Sequence, residues 1–180
     1  MSFEQTLQEQ VQAAAATGTA LLIQGSNSKS FYGRRSRGEV LSVNPHRGII
    51  DYTPSELVIS ARAGTTLAEL ESVLQQQGQM LAFEPAHFGD NATLGGTIAC
   101  AFSGPRRPYA GAARDFVLGV NCLTGQGERL RLGGQVLTNV AGYDVSRTLT
   151  GPLGTLAILL DIHLRVLPRP ETELTLQHPC

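Results

Sequence analysis

Three glycine-rich loops, each beside a short apolar run, limit what this sequence can fold into more than any other feature. They are residues 24–33, 92–97 and 150–156, in a chain where 20 of 180 residues are glycine, above the usual share of about 7%. Glycine lets a backbone turn sharply or approach a ligand closely because it has no side chain. The loops therefore predict places where the backbone lies against a bound ligand.

The first two loops have the composition of phosphate-binding segments. Residues 24–33 follow the apolar run 21–23, and small residues there let successive N–H groups converge on an anion, although an ordinary turn has the same pattern. In 92–97, Gly95 and Gly96 lead into a run of small residues, which would allow a diphosphate to sit at the positive end of a helix. This second loop matches neither the G-x-G-x-x-G nor the P-loop fingerprint.

Composition excludes several classes of protein. With 42% apolar and 16% charged residues the chain can fold as one domain, and a net charge of −1 argues against a basic surface for nucleic acid. Three scattered cysteines predict a reducing, cytoplasmic setting, and four isolated histidines predict no metal site. The start of the chain lacks a signal-peptide pattern, and the most apolar run, 153–167, is too short and too charged to span a bilayer.

Hydrophobic periodicity predicts an α+β fold rather than a doubly wound parallel sheet, because the strands outnumber the helices and come in bunches. Helices are expected over 3–17, from the capping box of Thr66 and Glu69 to the stop at Gly78, over 93–101 and over 145–149. Strands are expected over 21–23, 40–43, 49–52, 57–61, 116–123, 128–132 and 155–167, the last ending at two prolines.

Eight short motifs occur in an order that resembles a known family. They are Gly25–Ser28, Gly64–Leu67, Glu84–Pro85, Ala92–Ala99, Arg114–Gly119, Thr124–Glu128, Asn139–Asp144 and Gly151–Leu156. Each motif is common by itself, but together they resemble the FAD-binding fold of the vanillyl-alcohol oxidase and p-cresol methylhydroxylase type. Within that family, residues 103–111 are most similar to the FAD-binding subunits of bacterial glycolate oxidases.

The resemblance implies two α+β subdomains, roughly residues 1–84 and 85–170, with FAD between them and a C-terminal tail at 171–180. The domain that covers the flavin in family enzymes is expected to be absent. The resemblance also implies which residues bind the cofactor. Those expected at the pyrophosphate are Gly25, Ser26, Asn27, Ser28 and Lys29, and those beside the pyrophosphate and ribityl chain are Thr93, Leu94, Gly95, Gly96 and Thr97. Those expected near the isoalloxazine are Ser103, Gly104, Tyr109 and Gly111, and those near the adenine are Gly154, Thr155 and Leu156. Because the first loop has no histidine, the FAD is expected to be non-covalent.

Three side chains are candidates for catalysis. Arg106 and Arg107 lie in the loop expected to face the flavin, where a guanidinium would pair with the carboxylate of a 2-hydroxy acid, or where it would contact solvent or a partner. His87 would be the base that takes the hydroxyl proton, oriented by Asp90, unless it is an ordinary loop histidine. Cys100 is expected to be a buried, inert thiol.

The resemblance implies the FAD-binding subunit of a complex like glycolate oxidase or glycolate dehydrogenase, which oxidises a 2-hydroxy acid such as glycolate. Its expected partners are a second flavoprotein and an iron–sulfur subunit, in the cytoplasm or on the inner membrane through those partners. One alternative is a non-catalytic assembly module of a multi-subunit oxidoreductase. Another is a nucleotide-sugar reductase of the same fold, for which the sequence offers no residues that would bind NADPH.

Overall fold

A five-stranded antiparallel sheet forms the centre of the protein. Its strands are Ile49–Thr53 (β3), Val58–Arg62 (β4), Val117–Leu123 (β6), Arg129–Gly133 (β7) and Ile158–Arg165 (β8). They lie in the order β3-β4-β8-β6-β7. Two smaller sheets flank it: the parallel pair Leu21–Gln24 (β1) and Glu39–Ser42 (β2), and the antiparallel pair Gln79–Met80 (β5) and Leu167–Pro168 (β9). The computed structural model describes residues 2–134 and 144–177.

Six α-helices surround these sheets in the described part of the chain. They are Phe3–Thr17 (α1), Leu67–Gln76 (α2), Leu94–Cys100 (α3), Arg107–Ala110 (α4), Ala113–Phe116 (α5) and Val145–Thr148 (α6). Helix α1 begins with a complete capping box between Ser2 and Gln5 and ends at Gly18 in the left-handed conformation. None of the described helices is long and apolar enough to cross a membrane.

Two apolar clusters hold the elements together. The larger lies between the central sheet and helices α2 and α3, and it includes the fully buried Phe83 and Phe116, whose rings are 5.6 Å apart. The smaller packs Leu7 and Val11 of α1 against Leu41, on β2, and against the ends of β6 and β8. Because β4 pairs with β8, the central sheet joins strands from both sides of residue 84. The subdomain boundary there stays a prediction.

The α+β class, α1, α3, α6 and the hairpin of β6 and β7 are confirmed, with bounds within a few residues. The single strand expected over 155–167 is wrong at both ends. Residues 152–155 form a turn in which the Thr155 N–H donates to Pro152 O, and Pro168 belongs to β9, which pairs with β5. The motif residues 139–143 lie outside the described residues.

Two further details differ from the sequence analysis. Only half of the expected capping box of α2 forms: Thr66 Oγ1 accepts from the Glu69 N–H, but the Glu69 carboxylate lies 3.1 Å from Arg47 Nη2. Helices α4 and α5 were not predicted, since four-residue helices in a glycine- and proline-rich segment show no apolar periodicity.

A substitution at Gly64 tests how tightly the turn after β4 is packed. A Cβ there would lie 2.4 Å from Asn44 O and 2.6 Å from His46 O, whereas a Cβ at Gly125 would meet nothing within 4 Å. We expect Gly64→Ala to lower the free energy of unfolding by about 1–3 kcal/mol or more, because backbone must shift to admit the methyl group. Gly125→Ala is the matched control and should leave stability within about 0.5 kcal/mol of the parent. Urea denaturation measures both, and equal stabilities for the two variants would contradict the packing described.

Candidate functional site

The three glycine-rich loops meet around helix α3. A Cβ on Gly25 would lie 2.7 Å from Thr93 Oγ1, so the first loop can approach the second only with glycine at this position. The third loop is bonded to the end of α3, where the Gly151 N–H donates to Ile98 O at 3.0 Å and the Leu153 N–H donates to Ala99 O at 2.8 Å. Segments far apart in the sequence thus form one surface.

The first loop presents a run of unused backbone donors. Within the described chain, the N–H groups of Ser26, Asn27, Ser28 and Lys29 donate no hydrogen bond to another protein group. Asn27 has a φ of 60°, in the left-handed region. Consecutive free N–H groups around a left-handed residue form the nest geometry that binds anions. The loop therefore offers the donors that a phosphate would need, and its phosphate-binding role stays a prediction.

Lys29 places a positive charge beside these amides. Its Nζ lies 3.4 Å from Ser28 Oγ and 5.8 Å from the centroid of the Phe88 ring, and it forms no ion pair with any described residue. Burial lowers the pKa of this ammonium, against an opposing effect of the nearby Cys100 thiol. A half-buried cation without a carboxylate is stabilised by an anion that binds next to it.

The N-terminus of α3 offers less to an anion than its sequence suggests. The Leu94 N–H donates to Thr65 O, the Gly95 N–H to Ala63 O, both at 2.8 Å, and the Gly96 N–H to Thr93 Oγ1 at 3.2 Å. Protein acceptors thus already occupy these three amides, and the expectation that a diphosphate sits at this helix end stays a prediction. Residues 93–97 nevertheless border the first loop, since a Cβ on Gly96 would lie 3.8 Å from Lys29 Nζ.

The loop expected to border the isoalloxazine, residues 103–111, packs on the segment around Glu84. The Gly104 N–H donates to Phe83 O at 2.8 Å, and a Cβ on Gly104 would lie 2.4 Å from Glu84 O. Ser103 Oγ accepts from the Ala113 N–H, so this hydroxyl fixes the start of α5. Tyr109 is 93% exposed, and Gly111, with a φ of 105°, contacts Asp115. Contacts at residues 103 and 104 hold the first half of the loop in place, whereas Tyr109, near its end, is exposed to solvent.

The catalytic candidates are placed in different surroundings. His87 Nε2 lies 3.0 Å from Glu71 Oε2 on α2, so Glu71, and not the expected Asp90, orients this ring. Arg106 Nε lies 3.9 Å from Glu84 Oε1, and Arg106 Nη1 lies 3.8 Å from Glu173 Oε1. Arg107 is exposed and forms no ion pair with a described residue. Of the two arginines, Arg107 is thus the one free to meet an added carboxylate.

The residues expected at the adenine end line a separate cleft of about 370 Å³. Gly154, Thr155 and Leu156 form one wall, and side chains of α1 and β1 form the other. Gly154 has a φ of 76° and approaches Ile23, where an added Cβ would lie 3.5 Å from the Ile23 Cβ. The residues that line the cleft are mostly apolar.

An aromatic patch that was not predicted from the sequence joins the first loop to its neighbours and is formed by Phe31, Tyr32, Phe88 and Phe102. Ring centroids are 5.0 Å apart for Phe31 and Phe88, 5.1 Å for Phe88 and Phe102, and 4.8 Å for Tyr32 and Phe102. Phe31 is 65% exposed and Tyr32 is 47% exposed. Two adjacent aromatic residues in a polar, arginine-rich loop were the available signal, because an exposed apolar cluster commonly marks a binding surface.

Comparison with known proteins gives a consistent result. A family described as "FAD binding domain" matches residues 2–133. Glycolate oxidase subunit GlcE of Escherichia coli is 53% identical over 97% of this chain and 50% of the relative. Glycolate oxidase subunit GlcD of Bacillus subtilis is 29% identical over 77% of this chain and 29% of the relative. The chain therefore spans half the length of the first relative and less than a third of the second.

Solved structures agree on the fold. An alkyldihydroxyacetonephosphate synthase superposes with a TM-score of 0.73 at 22% sequence identity, covering 93% of this chain and 31% of that enzyme. A second crystal form of a synthase of the same name gives a TM-score of 0.71 at 20% identity. At these identities the likeness concerns the backbone architecture alone, and it confirms the α+β fold expected from the motifs.

The environment of Lys29 predicts unusual reactivity for the only lysine of the chain. Because burial lowers its pKa, the neutral amine that attacks an acylating reagent should appear at lower pH in the folded protein than in the unfolded one. Acetylation of Lys29 can be followed by peptide mass spectrometry across pH, with urea-unfolded protein as the reference. The midpoint should fall below that of the unfolded chain. Coincident midpoints would contradict the half-buried, unpaired placement.

Proposed function

This chain belongs to the FAD-binding domain family, and we propose that it is the cofactor-binding part of a flavoprotein subunit that oxidises glycolate or a related 2-hydroxy acid. Its cofactor is FAD. The observation that carries the proposal is a set of N–H groups at 26–29 beside Lys29, none of which bonds or pairs with a protein acceptor among the described residues except for the Lys29 contact to Ser28 Oγ; these donors suit the charge of a diphosphate. The 53% identity to a glycolate oxidase subunit supports the substrate class.

The residues present fit FAD at each of its parts. The diphosphate would bind to the amides of 26–29 and to Lys29, in the space kept open by Gly25 and Gly96. The adenine would enter the cleft walled by 154–156. The aromatic patch and the loop starting at Ser103 would border the isoalloxazine, since Phe102 is next to Ser103 and Tyr32 is three residues beyond Lys29. Stacked aromatic and apolar surface is suited to a flat ring system.

Bound FAD supplies a two-electron acceptor. The chain's own contribution to substrate oxidation would then be to hold the carboxylate and receive the hydroxyl proton. Arg107 is exposed and unpaired among the described residues, so it is our candidate for the carboxylate, while Arg106 is occupied by Glu84 and Glu173. We assign the role of proton acceptor to His87, whose ring is oriented by Glu71, with Nε2 3.0 Å from Glu71 Oε2.

We propose that the protein acts within a complex, with a second flavoprotein and an iron–sulfur subunit, in the cytoplasm or at the inner membrane through these partners. The first relative is itself named as a subunit, which supports assembly. The exposure of Phe31 and Tyr109 gives a surface for contact with other chains. The same exposure favours a second candidate function, a non-catalytic assembly module in which the fold serves only as a scaffold.

Lys29 should contribute directly to cofactor affinity. We expect Lys29→Gln to weaken FAD binding by at least about tenfold, because a charge-assisted hydrogen bond to phosphate contributes about 1.5–3 kcal/mol. Arg37→Gln removes an equal charge from the exposed continuation of the same loop and should leave the affinity unchanged. Titration of FAD fluorescence with each protein measures the dissociation constants. Equal loss in both variants would indicate a general charge effect and contradict the assigned contact.

A single-turnover experiment distinguishes a subunit that oxidises substrate from a non-catalytic assembly module. FAD-loaded protein mixed with glycolate without oxygen should lose its visible flavin absorption, and Arg107→Gln should raise the glycolate concentration for half-maximal reduction by about tenfold. Arg114→Gln, an exposed arginine that pairs with Asp115, is the control and should not change it. Flavin that glycolate never reduces, with or without partner subunits, would favour the assembly module.

A further inference from the structure

Three metal-binding side chains meet at the start of α1, away from the loops around α3. His46 Nε2 lies 3.0 Å from Asp161 Oδ1 and 3.7 Å from Glu4 Oε1. Among the described residues, these are the one group of three such donors whose atoms all lie within 4.8 Å of one another. They come from α1, from the turn after β2 and from the central strand β8. Their separations are close to those of ligands that share one metal ion about 2.0–2.2 Å from each.

Neighbouring groups leave one oxygen of each carboxylate facing the imidazole. Asn121 Nδ2 donates to Asp161 Oδ2 at 2.8 Å, and Arg129 Nη1 donates to Glu4 Oε2 at 2.7 Å. The remaining oxygens, Asp161 Oδ1 and Glu4 Oε1, are the two that approach His46 Nε2. Hydrogen bonds that orient the ligands in this way are a regular feature of protein metal sites and affect metal affinity.

The site is shielded on one side and open on the other. His46 is 5% exposed, and the Phe3 ring stacks on it with centroids 5.8 Å apart and planes 13° from parallel. A cleft of about 310 Å³ lined by Ser2, Phe3, Glu4, Pro45, His46, Arg47 and Arg62 opens beside the imidazole. Three protein donors with an open side leave room for water to complete the coordination of an ion.

We propose that Glu4, His46 and Asp161 bind a divalent transition-metal ion of the zinc class. One imidazole nitrogen and two carboxylate oxygens suit Zn²⁺ and its neighbours, and the two negative charges offset the charge of the ion. The bound ion fastens α1 and the β2–β3 turn to the central sheet. Because the ligands lie 42 and 115 positions apart along the chain, such an ion can bind strongly only to the folded protein.

The test uses Co²⁺ absorption and Zn²⁺ titration of the full chain, after removal of metal by a chelator. The proposal predicts saturable binding of one ion at the site and a higher melting temperature with Zn²⁺. Glu4→Gln and His46→Gln should each weaken binding by at least about tenfold. His87→Gln is the matched control, because it removes a histidine that pairs with a single carboxylate, and it should leave metal affinity unchanged.

Two results would overturn the proposal. One is the absence of saturable binding in the parent chain, which would make the trio an ion-paired cluster only. The other is a Glu4→Gln variant that folds and binds Zn²⁺ as tightly as the parent. If His46→Gln fails to fold, Glu4→Gln decides the question, because the Glu4 side chain is only partly buried in the first turn of α1 and Gln keeps its shape. Each of these readouts is independent of flavin content.

Discussion

The position of helix α3 depends on a short segment after β4, and most of the proposed cofactor surface depends on α3. Ala63 O accepts from the Gly95 N–H and Thr65 O accepts from the Leu94 N–H, while a Cβ on Gly95 would lie 2.7 Å from the Ala63 Cβ. This close approach requires glycine, and it also uses the amides that a free helix end would offer to an anion. The unpaired donors are instead in the first loop, at 26–29, beside Lys29. One packing contact therefore decides which backbone groups can bind a diphosphate.

The same segment connects the two sites. The Gly64 N–H donates to His46 O at 2.7 Å, and the Ala63 N–H donates to Leu160 O, next to Asp161, at 2.7 Å. The loops around α3 and the cluster of Glu4, His46 and Asp161 are thus attached to adjacent residues of one tight turn. An ion at that cluster would hold the turn from one side while α3 holds it from the other. Binding residues commonly lie on loops that a rigid scaffold positions, so the rigidity of this turn matters for the proposed cofactor loops.

Local patterns in the sequence predicted the local structure well. Helix α1 followed from four-residue apolar spacing and from Gly18, and the hairpin of β6 and β7 followed from two apolar runs around a Thr-Gly turn. Contacts between distant residues could not be derived in this way. The histidines appeared isolated because the partners of His46 are at positions 4 and 161, and the aromatic patch draws on three separate loops. Likewise, only the fold shows that Glu71 is the partner of His87.

The most direct test of this account is the visible absorption of the purified chain, supplied with FAD and washed, before and after heat denaturation. In the proposed site, backbone amides and one lysine would hold the diphosphate without a covalent bond. We therefore predict a flavin spectrum in the native protein and full release of the flavin into the supernatant when the protein is denatured. A chain that remains colourless after incubation with FAD would contradict the assignment of the loops around α3 as the cofactor site. Colour that stays with the precipitated protein would contradict non-covalent binding.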